Sequence, residues 1–82
     1  MFHKDLYGLR LKKLRNLSGE RQADLAAKLG VTQQAVGKWE SGKSSPDPST
    51  VARIAELLNT TADYLLGLTD EPRPLVQQEK EG

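Results

Sequence analysis

Apolar positions in this chain recur every three or four residues, in short runs separated by glycine, proline and hydroxyl side chains, and that spacing predicts helices. From Asp5 to Leu17 the residues Tyr7, Leu11 and Leu14, with Leu6 and Leu17 half a turn off, make one apolar face with basic residues between them. Ser18-Gly19 stops this first helix. A second helix, Gln22 to Leu29, turns Leu25, Ala26 and Leu29 inward and ends at Gly30, which accepts a left-handed cap without a Cβ clash. Thr32 is placed to cap a third helix, Gln33 to Glu40, with Val36 and either Trp39 or Glu40 on its inner side. The run from Ser41 to Pro46 is turn chemistry. Asp47 then serves as cap and Pro48 as the first residue of a fourth helix carrying Val51, Ile54, Ala55 and Leu58. Thr60 or Thr61 caps a last turn or two through Tyr64, Leu65 and Leu66, closed by Gly67. The prediction is an all-α fold, a compact five-helix domain over residues 1–69. Residues 70–82 are polar, charged and proline-bearing, the composition of a flexible tail or linker.

Composition removes whole classes of function. At 82 residues the chain is one small domain, below the roughly 100–200 residues usual per domain, so a two-domain enzyme is excluded. An aromatic content of 5% is thin for a sheet and sufficient for a modest helical core. Without cysteine there is no disulfide, no thiol nucleophile and no zinc or iron–sulfur site built on Cys, and no cofactor is expected. The apolar runs are far shorter than the ~20 residues of a membrane span, and no apolar stretch follows the first five residues, so a soluble, unsecreted, cytoplasmic protein is expected. There is no glycine-rich phosphate loop, no His-Glu-x-x-His pair and no nucleophile with a partnered base. The Ser-Gly-Lys-Ser-Ser run at 41–45 lacks the upstream glycine of a Walker loop, and His3 precedes the first helix, so no catalytic residue is expected.

Charge adds a direction. The net charge is only +1, yet residues 1–43 hold nine Lys/Arg against four Asp/Glu, and residues 44–82 hold three against seven. Lys4, Arg10, Lys12, Lys13, Arg15, Arg21, Lys28, Lys38 and Lys43 can make a positive face toward phosphate, with the acidic half turned away. A solvated helix surface accounts for the same pattern.

The junction of the second and third helices carries more. Two helices joined only by Gly30-Val31-Thr32 must cross steeply, because Gly30 permits the positive-φ turn while Val31 buries itself in the angle. Such a junction leaves the N-terminus of the third helix proud of the surface, where polar side chains and the positive dipole end can enter a major groove about 12 Å wide. Gln33 and Gln34 stand there. A glutamine offers a donor and an acceptor together, suiting adenine N6 and N7 or a single bond to guanine. Lys38, one turn past Gln34, can reach guanine or a phosphate.

The stretch from Gln22 through Gly30-Val31-Thr32-Gln33-Gln34 to Trp39-Glu40-Ser41-Gly42-Lys43 resembles the helix-turn-helix of Xre-type regulators, the family of Cro and the lambdoid phage repressors. The likeness extends upstream through Gly8, Leu11, Leu14 and Arg15, and downstream through Pro46-Asp47, Ile54-Ala55, Leu58 and Asp63-Tyr64-Leu65-Leu66, covering roughly residues 5–69. What it implies is a lambda-repressor-like fold and a sequence-specific double-stranded DNA-binding regulator. Such a protein usually works as a homodimer on a palindromic operator and most often represses transcription. It implies base reading by Gln33, Gln34 and Lys38 and phosphate contacts by Gln22, Ser41 and Lys43. Thr32 joins them through its hydroxyl and the helix amides beside it. An ion pair between Arg15 and Glu40, locking the first helix to the third, is also implied.

The chain departs from the family pattern in two places. Glu20 and Arg21 stand where an apolar residue and a Ser or Thr cap usually precede the helix-two glutamine, so either Ser18 or Gly19 joins an altered start or the helix begins loosely. Arg21 is then a phosphate contact or a solvated surface arginine. Gly37 lies inside the third helix at a cost of about 1 kcal/mol against alanine, which reads as tolerated flexibility or as close approach to DNA or a partner. Trp39 reads as core against helices one and four, and Tyr64 as core or dimer surface. Small domains of this type also serve as antitoxins or anti-repressors with a protein as principal ligand. Leu66, Leu68, Leu75 and Val76 are the apolar candidates for such a partner, or equally for a dimer surface, with Leu75 and Val76 also readable as frayed tail.

Overall fold

A computed structural model describes residues 4–73; residues 1–3 and 74–82, His3, Leu75 and Val76 among them, lie outside. Five helices follow in order: α1 (Lys4–Leu17), α2 (Gln22–Leu29), α3 (Gln33–Glu40), α4 (Pro48–Leu57) and α5 (Ala62–Leu66). Their ends are set by local chemistry. The hydroxyls of Thr32 and Thr61 and the carboxylate of Asp47 accept the backbone N–H of Ala35, Tyr64 and Thr50, satisfying amides that no preceding helical turn can reach. Thr61, not Thr60, is therefore the cap of α5. The Thr60 hydroxyl is buried and donates instead to the Pro72 carbonyl. At the other ends, α2 closes on Gly30 (φ 72°), with the Gly30 and Val31 amides turned back to the carbonyls of Ala27 and Ala26.

The inward stripes meet in one core. Tyr7, Leu11, Leu25, Val36, Ile54 and Leu65 are fully buried, each supplying one helix's contribution or part of it. Complete burial of a side chain of this size is worth about 1.5–3 kcal/mol, and it is this face-to-face burial that holds helices too short to persist alone. Trp39 and Tyr64 are buried in the same body. Helix α1 is the common support: it packs on α3 and on α5, while α2 packs on α3 and α4, and α4 on α5. The α1–α3 crossing is close at Gly8. A Cβ there would stand 2.5 Å from the Glu40 carbonyl oxygen and 2.7 Å from that of Trp39, so only glycine lets the two backbones meet.

Arg10 fastens the other side of α1. Its guanidinium lies 4.0 Å from the Tyr64 ring centre, donates to the carbonyls of Tyr64 and Thr69, and reaches the Asp70 carboxylate at 2.8 Å. With Thr60 holding Pro72, the segment from Thr69 to Pro72 lies back against the helices. Among the described residues no helix is long and apolar enough to cross a membrane.

Candidate nucleic-acid interface

The turn between α2 and α3 is short because each residue in it has one task. Gly30 takes the left-handed conformation, Val31 packs its side chain against the core, and Thr32, in extended backbone, caps α3. The inner face of α3 is Val36 and Trp39, with Ala35 packed beside them. That leaves Gln33, Gln34 and Lys38 exposed on the outer face, adjoining one another at helical spacing, with the exposed Thr32 just before them. Ser41 and Lys43 are exposed past the C-terminal end, in a turn held by the Lys43 amide and the Ser41 hydroxyl, which both donate to the Lys38 carbonyl at 2.9 and 3.2 Å.

Gln22 comes from α2 but joins the same surface. Its carboxamide lies beside Gly37 of α3, with both terminal atoms 3.7–3.8 Å from where a Cβ at that position would stand. Its Nε2 donates to Glu40 Oε1 at 3.1 Å. Glu40 in turn holds Arg15 by two bonds, Nε to Oε2 at 2.5 Å and Nη2 to Oε1 at 3.0 Å, and Arg15 Nη1 donates to the Glu20 carbonyl at 2.8 Å. Both charged side chains are buried, and hydrogen bonding to Glu40 raises the already high pKa of Arg15. The planar fork of the guanidinium fixes direction as well as distance. The Arg15–Glu40–Gln22 group therefore ties α1, α2 and α3 together directly behind the exposed face.

The start of α2 follows neither of the two arrangements expected from its unusual sequence. Ser18 and Gly19 finish α1: the Gly19 and Glu20 amides donate to the carbonyls of Asn16 and Arg15, and the Ser18 hydroxyl donates to the Arg15 carbonyl. The N-cap position falls on Arg21, whose side chain cannot accept a hydrogen bond, and Asp24 one turn later accepts the Arg21 backbone N–H at 2.9 Å. Asp24 also takes the Arg21 guanidinium at 3.3 Å, a pairing that holds the Asp24 carboxyl below its usual range. Arg21 thus stands next to Gln22 but is turned toward its own helix. Glu20 is engaged as well, accepting from Lys28 at 2.8 Å.

Sequence reasoning passed over Asp24, the pairing of Glu20 with Lys28 and the partners of Arg10. The spacing Arg21-x-x-Asp24 was a usable signal for the first, because an acid at the third helical position is half of a capping box. No local signal marks the Arg10 contacts, which join residues more than fifty positions apart.

Comparison with known proteins agrees with this geometry. The family model described as helix-turn-helix matches residues 11–65. Over 61 residues the chain is 41% identical to the SPbeta prophage-derived uncharacterized HTH-type transcriptional regulator YonR of Bacillus subtilis, an alignment covering 74% of this chain and 56% of that protein. It is 47% identical over 51 residues to the 26 kDa repressor protein of Escherichia phage HK022, covering 62% of this chain and 22% of the repressor. The crystal structure of the P22 c2 repressor in complex with a synthetic operator superposes with a TM-score of 0.72 at 31% identity, over 74% of this chain and 92% of that one. The match thus spans about half of the Bacillus regulator and about a fifth of the HK022 repressor.

Proposed function

This chain belongs to the helix-turn-helix family, and from that premise we propose that it is a sequence-specific double-stranded DNA-binding domain that represses transcription, acting in the cytoplasm as a homodimer on a palindromic operator. The observation that carries this is the outer face of α3: Gln33, Gln34 and Lys38 point outward from a helix whose inner face and C-terminal Glu40 are fastened to α1 and α2. A rigidly held helix can present a fixed set of donors and acceptors to base edges, and fixed position is what makes wrong bases costly. Gln33 and Gln34 then read bases near the start of α3, and Lys38 reads one turn further along.

Phosphate contacts bracket that helix. Thr32 stands at its N-terminal end and Ser41 and Lys43 past its C-terminal end, with Gln22 beside it at Gly37. One of the two Nε2 hydrogens of Gln22 is committed to Glu40, which leaves the second for a phosphate oxygen and fixes where that oxygen must lie. Arg21 joins the backbone contacts by leaving Asp24, an exchange of one exposed partner for another. The dimer is supported by an apolar groove lined by Ser45, Pro46, Pro48, Val51, Ala62 and Leu66, which would seat a second copy beside the loop that carries Ser41 and Lys43. Two copies of α3 about 34 Å apart place half-site centres about 10 base pairs apart.

The test is selection from a random duplex pool with the purified protein at near-physiological salt, repeated with Gln34→Ala. A shared palindrome that loses preference at one symmetric position in the variant is the expected result. Equal weakening on every sequence would take base reading away from Gln34, and no enrichment by the unsubstituted protein would remove the operator-binding proposal itself.

A further inference from the structure

Gly37 is the one described glycine that the fold does not require. Gly19, Gly30, Gly42 and Gly67 have φ between 72° and 85°, and Gly8 sits where a Cβ would strike the backbone of α3. Gly37 has ordinary helical backbone, and a Cβ built on it meets only the Gln22 carboxamide, at 3.7–3.8 Å, an ordinary van der Waals contact. Alanine therefore fits the folded protein, and in a helix interior it is the better helix former. Nothing among the described residues explains the glycine, so its reason is sought outside.

Its position says where. Gly37 lies three residues after Gln34 and four after Gln33, with Lys38 beside it, so it falls within the outer face of α3. Among the described residues the Gln22 carboxamide is the only group within 4 Å of the Cβ position at Gly37, so helix backbone lies bare there between the exposed Gln33, Gln34 and Lys38 of the same face. That backbone offers Cα–H surface and no free donor, because the helical N–H and C=O groups are already paired. In a DNA major groove the projecting apolar group is the C5 methyl of thymine.

Resting on the operator-binding function proposed above, we propose that Gly37 is a specificity position whose missing side chain receives a thymine methyl against the backbone of α3. A methyl on the protein at this place would occupy the space of the methyl on the base.

The test uses Gly37→Ala and the operator selected by the unsubstituted protein, with each thymine of a half-site replaced in turn by uracil, which lacks only the C5 methyl. The variant is expected to melt higher by roughly 4–8 °C. It is expected to bind the thymine operator about tenfold or more weakly, to retain non-specific affinity because no charge has changed, and to recover toward unsubstituted affinity on the one duplex carrying uracil at the contacted position. Binding of the thymine operator with unchanged affinity would overturn the proposal. So would a loss that is the same on every uracil duplex, since that would place the effect on the neighbouring Gln22 and its phosphate. If the unsubstituted protein selects no operator, the DNA-binding proposal falls and this one with it, an outcome visible before any variant is made.

Discussion

Replacing Glu40 by alanine removes two acceptors from a guanidinium with almost no access to water: the Arg15 side chain is 8% exposed and the Glu40 side chain 4%. Both bonds from Arg15 go, and so does the one from Gln22, leaving Arg15 the Glu20 carbonyl. A buried charge stripped of its partner costs about 3–5 kcal/mol, whereas an exposed pair is worth under about 1. The total stability of a domain this small is on the order of 5–15 kcal/mol, and each kcal/mol moves its melting midpoint by roughly 4–8 °C. Glu40→Ala is thus expected to lower the midpoint by on the order of 12–40 °C, measured by circular dichroism on purified protein at neutral pH. A shift below about 8 °C would refute the argument, since it would mean that water or a rearranged neighbour solvates Arg15. The double variant Arg15→Met/Glu40→Leu separates the two sources of the loss. With the charge gone and the volume kept, it is expected to recover most of the stability. A double variant as weak as Glu40→Ala would put the cost in lost shape rather than in the stranded charge.

Three further outcomes follow from the contacts. Gly8→Ala places a methyl 2.5 Å from the Glu40 carbonyl and must push α1 off α3, so a loss of about 1–3 kcal/mol is expected in urea unfolding, and an unchanged midpoint would show that the crossing is loose. Hydrogen bonds from the Thr50 amide and the Ser49 hydroxyl hold the Asp47 carboxyl below its ordinary value. Its contribution is therefore complete above about pH 4 and lost as pH falls through the lowered value; melting midpoints between about pH 6 and 2 are expected to fall less steeply for Asp47→Asn than for the unsubstituted protein. Arg10→Gln removes the ring contact and the charge-assisted bonds to the segment after α5, and hydrogen exchange is expected to quicken at residues 64–70 before it does in α2.

What was legible in the sequence was what is decided locally. The limits of α2 and α3 follow from Gly30 and Thr32, because a positive-φ cap and a hydroxyl cap act within one turn of themselves. The inward faces follow from helical period, and Trp39 falls into the core because it stands three residues from Val36. The start of α2 at Gln22 was legible but its cap was not, because Arg21 is a poor cap by type and the acceptor that replaces it sits one turn downstream at Asp24. Gly8 was visible as part of a motif but not as a clearance, since its reason is the backbone of α3. The Gly30-Val31-Thr32 junction pointed to the exposed residues of α3 and the likeness to a family gave them their expected roles; Gln22 shows what the motif alone conceals, a side chain with one hand on Glu40 and its flank against Gly37.

Helix α5 has five residues, far fewer than the 12–15 or so below which an isolated helix is marginal in water. It exists by lying on α1 and α4, with Arg10 across its last turn. The same α1 rod, five residues further along, holds α3 through Arg15. Early and late parts of the chain are thereby joined through one helix. Because Arg10 and Arg15 grip at separate places on that helix, the C-terminal turn can peel away while Arg15 and Glu40 still hold α3. The domain is a spine with two clasps, and the one at Arg15 keeps the outward-facing glutamines in order when the one at Arg10 opens.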